Sequence, residues 1–320
     1  MIDRRLFLTT AAAALATGTA ANAQATWPSR PLRIVVGFSA GSTPDLIART
    51  IAEPLARLTG QPAVVENKPG ASGNIAADIV AKARDDTTIG VMINVNLTIA
   101  RLLNPSLSFD PAKDLAPICL VGTGPLIVAL SPRWKGKATL DALRAAGAKL
   151  NYGSVGVGSM GHLGMELISA RLGIKPTHVP YPGNPQVLQA LASNEIDVGL
   201  IPVGLAGQQI RAGTIVALAV ASSKRTELAP DVPSLAELGL KDLDIEIWVA
   251  VATSVAMPLE NRRKLEAMVL DILKTPEVRK QLTTQGWDIA AQPAAAFAQR
   301  LETETSMLAA IIEKQNIRAN

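Results

Sequence analysis

The stretch Val35-Val36-Gly37-Phe38-Ser39-Ala40-Gly41-Ser42-Thr43-Pro44-Asp45-Leu46-Ile47-Ala48-Arg49-Thr50 sets the frame for the whole chain. Strand-forming residues, Leu32 and Ile34 to Val36, run into a small-residue loop from Gly37 to Thr43, and an apolar periodicity of helical spacing begins at Pro44. Thr43 suits the N-cap and Pro44 the first helical position, where a missing N–H costs nothing. A strand that empties into a helix N-terminus leaves backbone N–H groups without helical partners, and with the helix dipole these attract an anion. The loop carries no Lys or Arg. Such a site suits a modest, partly polar anion such as a carboxylate, held by backbone and hydroxyl groups; it is equally the first βα turn of an ordinary α/β domain.

Working outward to the N-terminus, Arg4-Arg5-Leu6-Phe7-Leu8, an Ala-rich run and Ala21-Asn22-Ala23 have the order of an export signal. It is twin-arginine-like, is expected to be cleaved after Ala23, and implies a periplasmic mature chain. Its apolar run, broken by Thr17-Gly18-Thr19, falls short of the roughly 20 residues of a membrane span. The whole chain holds 31 basic and 27 acidic residues. Without Asp3, Arg4 and Arg5 the net charge is +3, too small to argue for a nucleic-acid partner. The single cysteine, Cys119, excludes an intramolecular disulfide, and with two histidines there is no set of ligands for a structural zinc.

Periodicity alternates strand, loop and helix, the pattern of an α/β fold with largely parallel sheets. Helices are expected at Pro44–Leu58, Asn74–Ala83, Thr139–Ala148, Ser234–Leu238, Leu259–Lys274 and Ala294–Lys314, and strands at Ala63–Glu66, Ile89–Ile93, Lys149–Val155, Asp197–Val203, Ile215–Ala221 and Ile245–Ala252. From Leu115 to Leu130 an apolar run is interrupted by Gly122-Thr123-Gly124-Pro125, which reads as one strand leaving a first domain and another entering a second. The expected division is residues 24–123 with 223–320 as domain I and 124–222 as domain II, joined by a two-strand hinge.

Gly156-Val157-Gly158-Ser159-Met160-Gly161 matches the dinucleotide fingerprint in letters, but no acidic residue stands about twenty positions on to hold a ribose. No cofactor is expected; the glycines read as a second turn presenting N–H groups to an anion. Val157 occupies the first glycine of the nucleophile-elbow motif around Ser159, so that motif is not met. A third loop, Tyr181-Pro182-Gly183-Asn184-Pro185, repeats the arrangement of a polar cap before a proline.

Several further blocks complete the picture: Val65-Glu66-Asn67-Lys68-Pro69-Gly70-Ala71-Ser72-Gly73-Asn74, Asp110-Pro111-Ala112-Lys113-Asp114-Leu115-Ala116-Pro117, Leu150-Asn151-Tyr152-Gly153-Ser154, His178-Val179-Pro180-Tyr181 and Pro230-Asp231-Val232-Pro233. In their order and spacing the chain resembles the Bug-type extracytoplasmic solute receptors of tripartite tricarboxylate transporters, from Trp27 to the last helix. The resemblance implies a type II periplasmic-binding-protein fold closing on a small organic acid, a mono- or dicarboxylate or an amino acid. The loops matching Phe38–Asp45 and Ser154–His162 would hold one carboxylate through main chain, hydroxyls and water. It also implies membrane permease subunits as partners and, by analogy, a monomer. The first loop departs from the family pattern, with Gly37 for proline, Ser42 for a second glycine and Pro44 before Asp45; Arg84-Asp85-Asp86-Thr87-Thr88, Pro182 and Ala252-Thr253-Ser254-Val255 depart elsewhere.

The candidate binding residues are Phe38, Ala40, Gly41, Ser42, Thr43 and Asp45 in the first loop, and Ser154, Gly156, Gly158, Ser159 and His162 in the second. Asn94, Asn96 and Tyr181 stand beside them. An acid at Asp45 favours the helix dipole and repels a carboxylate, which points to loop-fixing ahead of direct contact. The amides of Asn94 and Asn96 either face the cleft or serve turn chemistry. Tyr181 either reaches the cleft or packs. His178 is expected to brace its strand and Trp248 to lie in the core. Two rivals to the receptor reading are a sensor that hands its ligand state to a histidine kinase, and a hydrolase using Ser159 or Ser154 with His162.

Overall fold

The computed structural model describes residues 27–315 apart from 242 and 244; the expected export signal lies outside the described residues. In chain order its first part comprises β1 (Leu32–Val36), α1 (Thr43–Thr59), β2 (Ala63–Asn67), α2 (Asn74–Ala81), β3 (Thr88–Ile93) and β4 (Leu115–Leu130). Then come α3 (Leu140–Ala146), β5 (Asn151–Ser154), α4 (Met160–Leu172), β6 (Thr177–Pro180), α5 (Asn184–Ala192), β7 (Val198–Pro202), α6 (Val203–Arg211) and β8 (Val216–Val220). The chain closes with β9 (Glu246–Ser254), α7 (Leu259–Lys274), α8 (Pro276–Thr284), β10 (Asp288–Pro293) and α9 (Ala294–Gln315).

Strand β1 shows why helices cover both faces of the sheet. Leu32, Ile34 and Val36 join the cluster containing Ile47 and Ile51 of α1 and Leu265 of α7, whereas Val35 joins Ala77 and Val80 of α2 and Phe297 of α9. Successive side chains on a strand point to opposite faces, so a nearly unbroken apolar run requires two covers. β1 pairs in parallel with β2 and β3, and β3 pairs antiparallel with β9. Strand β5 pairs in parallel with β6 and β7. Its layer is covered by Leu163 and Ile168 of α4 on one face and by Val187 and Leu191 of α5 on the other.

The ten strands run as one path, β2-β1-β3-β9-β4-β7-β5-β6, with β8 and β10 also on β4. Strand β4 joins the two halves: Leu115 to Pro125 pair with β9, and Leu126 to Leu130 pair with β7 and β8. This corrects the expected break at Gly122–Pro125, because the strand runs straight through. The glycines make room for the turn into β10: a Cβ on Gly122 would lie 2.8 Å from the Asp288 carbonyl oxygen, and one on Gly124 3.3 Å from the Trp287 ring. Glycine inside a strand marks such close approach.

Helix α8 and strand β10 were not anticipated, and Leu235–Gly239 forms a turn in place of the expected helix. Trp248 is fully buried, edge-on to Phe297. Cys119 is buried, and burial pushes its thiol up to about 12. Among the described residues, no helix is long and apolar enough to cross a membrane, and no three His, Cys, Asp or Glu side chains gather as a metal site.

Candidate functional site

The parallel strands end on one side, and the loops that follow β1 and β5 meet there. Helix α1 begins with Ser42 as N-cap, so Thr43 and Pro44 are its first two helical residues. Neither the Ser42 nor the Thr43 hydroxyl has a hydrogen-bond partner, although the residues are 1% and 2% exposed. Both line an inner cavity of about 30 Å³ together with Ser159, Met160 and Gly161 at the start of α4 and Asn184 at the start of α5. Three helix N-termini therefore converge on one small space. Its remaining wall includes Phe38, Ile93, Val155 and Ile247, and no charged side chain lines it. Orphan N–H groups and the positive ends of three dipoles, with no fixed anion in the wall, make a site complementary to a compact negative charge.

Phe38 and Val155 also form a shared wall with an outer cavity of about 440 Å³, bounded by Gly70–Asn74, Val155–Val157 and Pro180–Pro182. Loops from the two halves of the sheet touch around it. The Ser72 hydroxyl donates to the Val157 carbonyl at 2.5 Å, the Ser39 N–H donates to the Pro182 carbonyl at 3.4 Å, and the Ser39 hydroxyl lies 3.0 Å from Gln186 Oε1. Gly156 has φ of +113°, and a Cβ there would come within 2.4 Å of Ser72 Oγ, so both its backbone angle and its neighbour require glycine. Gly37 approaches Gly73 so closely that a Cβ would lie 2.4 Å from Gly73 Cα.

The sequence candidates separate into cavity walls and supports. Phe38, Ser42, Thr43 and Ser159 line the inner space, and Phe38, Gly156 and Tyr181 the outer one. Asp45 stands behind the first loop, where its carboxylate accepts from the Gly41 N–H at 2.9 Å, Asn67 Nδ2 at 2.9 Å and Arg49 Nε at 3.0 Å. Burial would push this acid upward, but those bonds hold it below the ordinary carboxylate range. Gly41 is thereby pinned, and Ala40 sits exposed at the loop tip, outside both cavities.

Asn94 and Asn96 do not bring their amides to the cavities. Asn96 Nδ2 donates to the Ser72 carbonyl at 2.9 Å and to Asn74 Oδ1 at 3.0 Å, bracing the loop that carries Ser72. Asn94 Nδ2 donates to Glu304, which also accepts from Trp248 Nε1. The one-turn helix Asn94–Leu97 that follows β3 aims these amides at neighbouring structure.

In the second loop, Ser159 is the N-cap of α4, accepting from the His162 N–H and donating to the Gly156 carbonyl. The Gly158 N–H donates to His162 Nδ1 at 3.0 Å. Ser154 Oγ lies 2.7 Å from His178 Nε2. The histidine that meets a serine hydroxyl is thus His178, through Ser154, while His162 holds backbone. Tyr152, His178 and His162 stack, and burial pushes both histidines down to about 4, leaving them neutral at pH 7. The Tyr181 hydroxyl turns to Glu195 at 3.0 Å, so this residue offers its ring to the outer cavity. Burial and then that carboxylate push its phenol up to about 12.

The reading of single residues missed Asn184, Ser72, Asn74 and Asn104 as lining residues. Asn184 had a usable signal, since Asn184-Pro185 repeats the polar-residue-then-proline start found at α1. The asparagines beside the outer cavity had none, because nothing local marks which turn residues a distant loop will face.

Comparison with known proteins gives the chain its relatives. Residues 47–317 match the model of the family described as Tripartite tricarboxylate transporter family receptor. BugT of Bordetella pertussis is 34% identical over 234 residues, 71% of each chain. The structure of MatC from Rhodopseudomonas palustris with bound malate is 29% identical, with a TM-score of 0.84 over 89% of this chain and 100% of that one. A second R. palustris structure, with adipate, is 28% identical, with a TM-score of 0.86 over 91% and 99%. The match in sequence extends over most of the chain and the match in fold over nine-tenths of it, so this chain belongs to the tripartite tricarboxylate transporter receptor family.

Proposed function

We propose that this protein is a periplasmic receptor that captures the carboxylate of a small organic acid in the inner cavity and delivers it to permease subunits of a tripartite tricarboxylate-type transporter. The observation that carries the reading is the pair of buried, unpartnered hydroxyls of Ser42 and Thr43, facing a neutral cavity at three helix N-termini. A buried hydroxyl without a partner is costly, and an acceptor from a bound acid relieves that cost. Malate in MatC and adipate in the second relative support an organic acid as ligand.

A space of about 30 Å³ holds a water or two and no organic acid. Entry therefore requires the Ser72–Val157 and Ser39–Pro182 contacts to part. In this reading residues 24–123 with 223–320 and residues 124–222 act as two lobes. Closure merges the two cavities around the ligand, which shifts the population because the acid meets all three helix starts only in the closed form. No catalytic step is assigned. Ser159 Oγ donates to a carbonyl and His162 Nδ1 accepts a backbone N–H, so neither is poised for nucleophilic attack in the way a hydrolase needs. Delivery to a permease is preferred to signalling because the family is one of transporter receptors.

The test is thermal unfolding of the full chain against a panel of small carboxylates and their matched neutral amides. At about 100 times its dissociation constant a ligand adds roughly 2.7 kcal/mol of stability, which raises Tm by a few degrees. Stabilisation by acids alone is expected; equal effects of acids and amides would overturn the reading.

A further inference from the structure

The outer cavity adjoins the inner one across Phe38 and Val155, and its lining is apolar or neutral throughout. Its wall is built by Phe38, Leu103, Val155, Val157, Pro182 and the ring of Tyr181, with short polar groups between them and no charged side chain. The cations nearest to it in sequence are engaged elsewhere: Lys68 lies 3.8 Å from Glu66, and Arg101 lies 3.4 Å from Asp110. Glu195 lies outside the lining and takes the Tyr181 hydroxyl. Of the polar lining residues, Ser72 is committed to Val157, and Asn74 and Asn104 accept through Oδ1 from Asn96 and Ser106, which leaves their Nδ2 groups as neutral donors. A second carboxylate placed here would give up hydration for two neutral amide donors at most and no counter-charge, whereas an aliphatic chain or aromatic ring would be removed from water against apolar walls.

From this we infer that the ligand is a monocarboxylic acid with an apolar body, and that the outer cavity selects against a second carboxylate. The inference rests on the carboxylate reading of the inner cavity. It separates this chain from relatives solved with malate and adipate, both of which carry two acid groups. Pro182 is a position on the wall at which a cation would supply a counter-charge for a second carboxylate.

The experiment is calorimetric titration of the full chain at pH 7.5 with pairs that differ only at the far end: hexanoate against adipate, and benzoate against terephthalate, with hexanamide and benzamide as neutral controls. The monoacid of a binding pair is expected to bind at least tenfold more tightly than its diacid. Diacids that bind as tightly or more tightly overturn this inference and leave the carboxylate reading standing. Amides that bind like the acids, or four acids that all fail, overturn both. In Pro182→Lys the ratio of diacid to monoacid affinity is expected to rise at least fivefold; an unchanged ratio means that the far end of the ligand does not lie in the outer cavity.

Discussion

Ser72 and Val157, 85 positions apart, are joined by a hydroxyl-to-carbonyl bond of 2.5 Å that ties the loop after β2 to the loop after β5. The bond exists only while the two sides of the cleft are together, so it favours the closed arrangement. A hydrogen bond of this kind contributes about 1 kcal/mol net, equivalent to roughly a fivefold change in an equilibrium. Ser72→Ala is expected to weaken acid binding by about that factor and to raise the radius of gyration of the unliganded chain. Calorimetry and solution scattering check both; an affinity and a radius like those of the parent would remove Ser72 from the closing mechanism.

Thr43→Val separates binding from folding. The Thr43 hydroxyl has no partner in the unliganded chain, so its removal is expected to leave stability unchanged or raise it by about 1 kcal/mol in urea unfolding. Acid affinity should fall roughly three- to tenfold, through the loss of one hydrogen bond. A parallel fall in stability and affinity would mark Thr43 as a packing residue instead.

Asp45 makes the opposite prediction. It lines neither the inner nor the outer cavity, yet it holds the Gly41 N–H, Asn67 and Arg49. Asp45→Ala should therefore cost about 1–3 kcal/mol of stability, since it strands a backbone donor and an amide. Arg49→Ala, which removes a half-exposed guanidinium, should cost less than about 1 kcal/mol. If the two variants unfold at the same urea concentration, the ion pair and not the loop bonds is what Asp45 supplies.

The stacked histidines predict an acid-sensitive stability. His162 is pushed down to about 4 by burial, whereas in the unfolded chain it titrates near its ordinary value of 6.5. Between those values the unfolded state holds more protons, so the contribution is complete above pH 6.5 and is lost as pH falls toward 4. For His162 the loss amounts to about 3 kcal/mol. Asp45, held below the ordinary carboxylate range, loses its contribution only at still lower pH, so the two windows separate. Comparing urea midpoints of the parent and His162→Gln at pH 7 and pH 4.5 isolates the effect. The parent should lose more stability than the variant over that interval, and parallel losses would assign the acid sensitivity to other groups.

How much of this was readable beforehand depended on whether the signal was local. The Ser42-Thr43-Pro44 and Asn184-Pro185 helix starts are local, and both were found, though each helix begins one residue earlier than expected, with Ser42 and Gly183 as caps. The cap residue Ser42 makes no side-chain bond to its own helix, so its hydroxyl and that of Thr43 are both left without a partner beside the cavity. The small-residue loops after β1 and β5 that line the inner cavity were legible for the same reason. The uses of Asn94 and Asn96 were not, since their partners Glu304 and Ser72 lie 210 and 24 positions away. Gly122-Thr123-Gly124-Pro125 misled because glycine and proline ordinarily punctuate strands, and only the approach of Trp287 and Asp288 explains why they lie inside one.

The uninterrupted course of β4 through both halves of the sheet has a mechanical consequence. A linker of loose residues lets two bodies swivel in any direction, but a ribbon laddered along both its edges bends and twists far more readily than it shears. The partners of β4 change from β9 to β7 and β8 at Gly122–Pro125, so a twist of the ribbon at that point would part the two sides of the cleft while leaving both ladders intact.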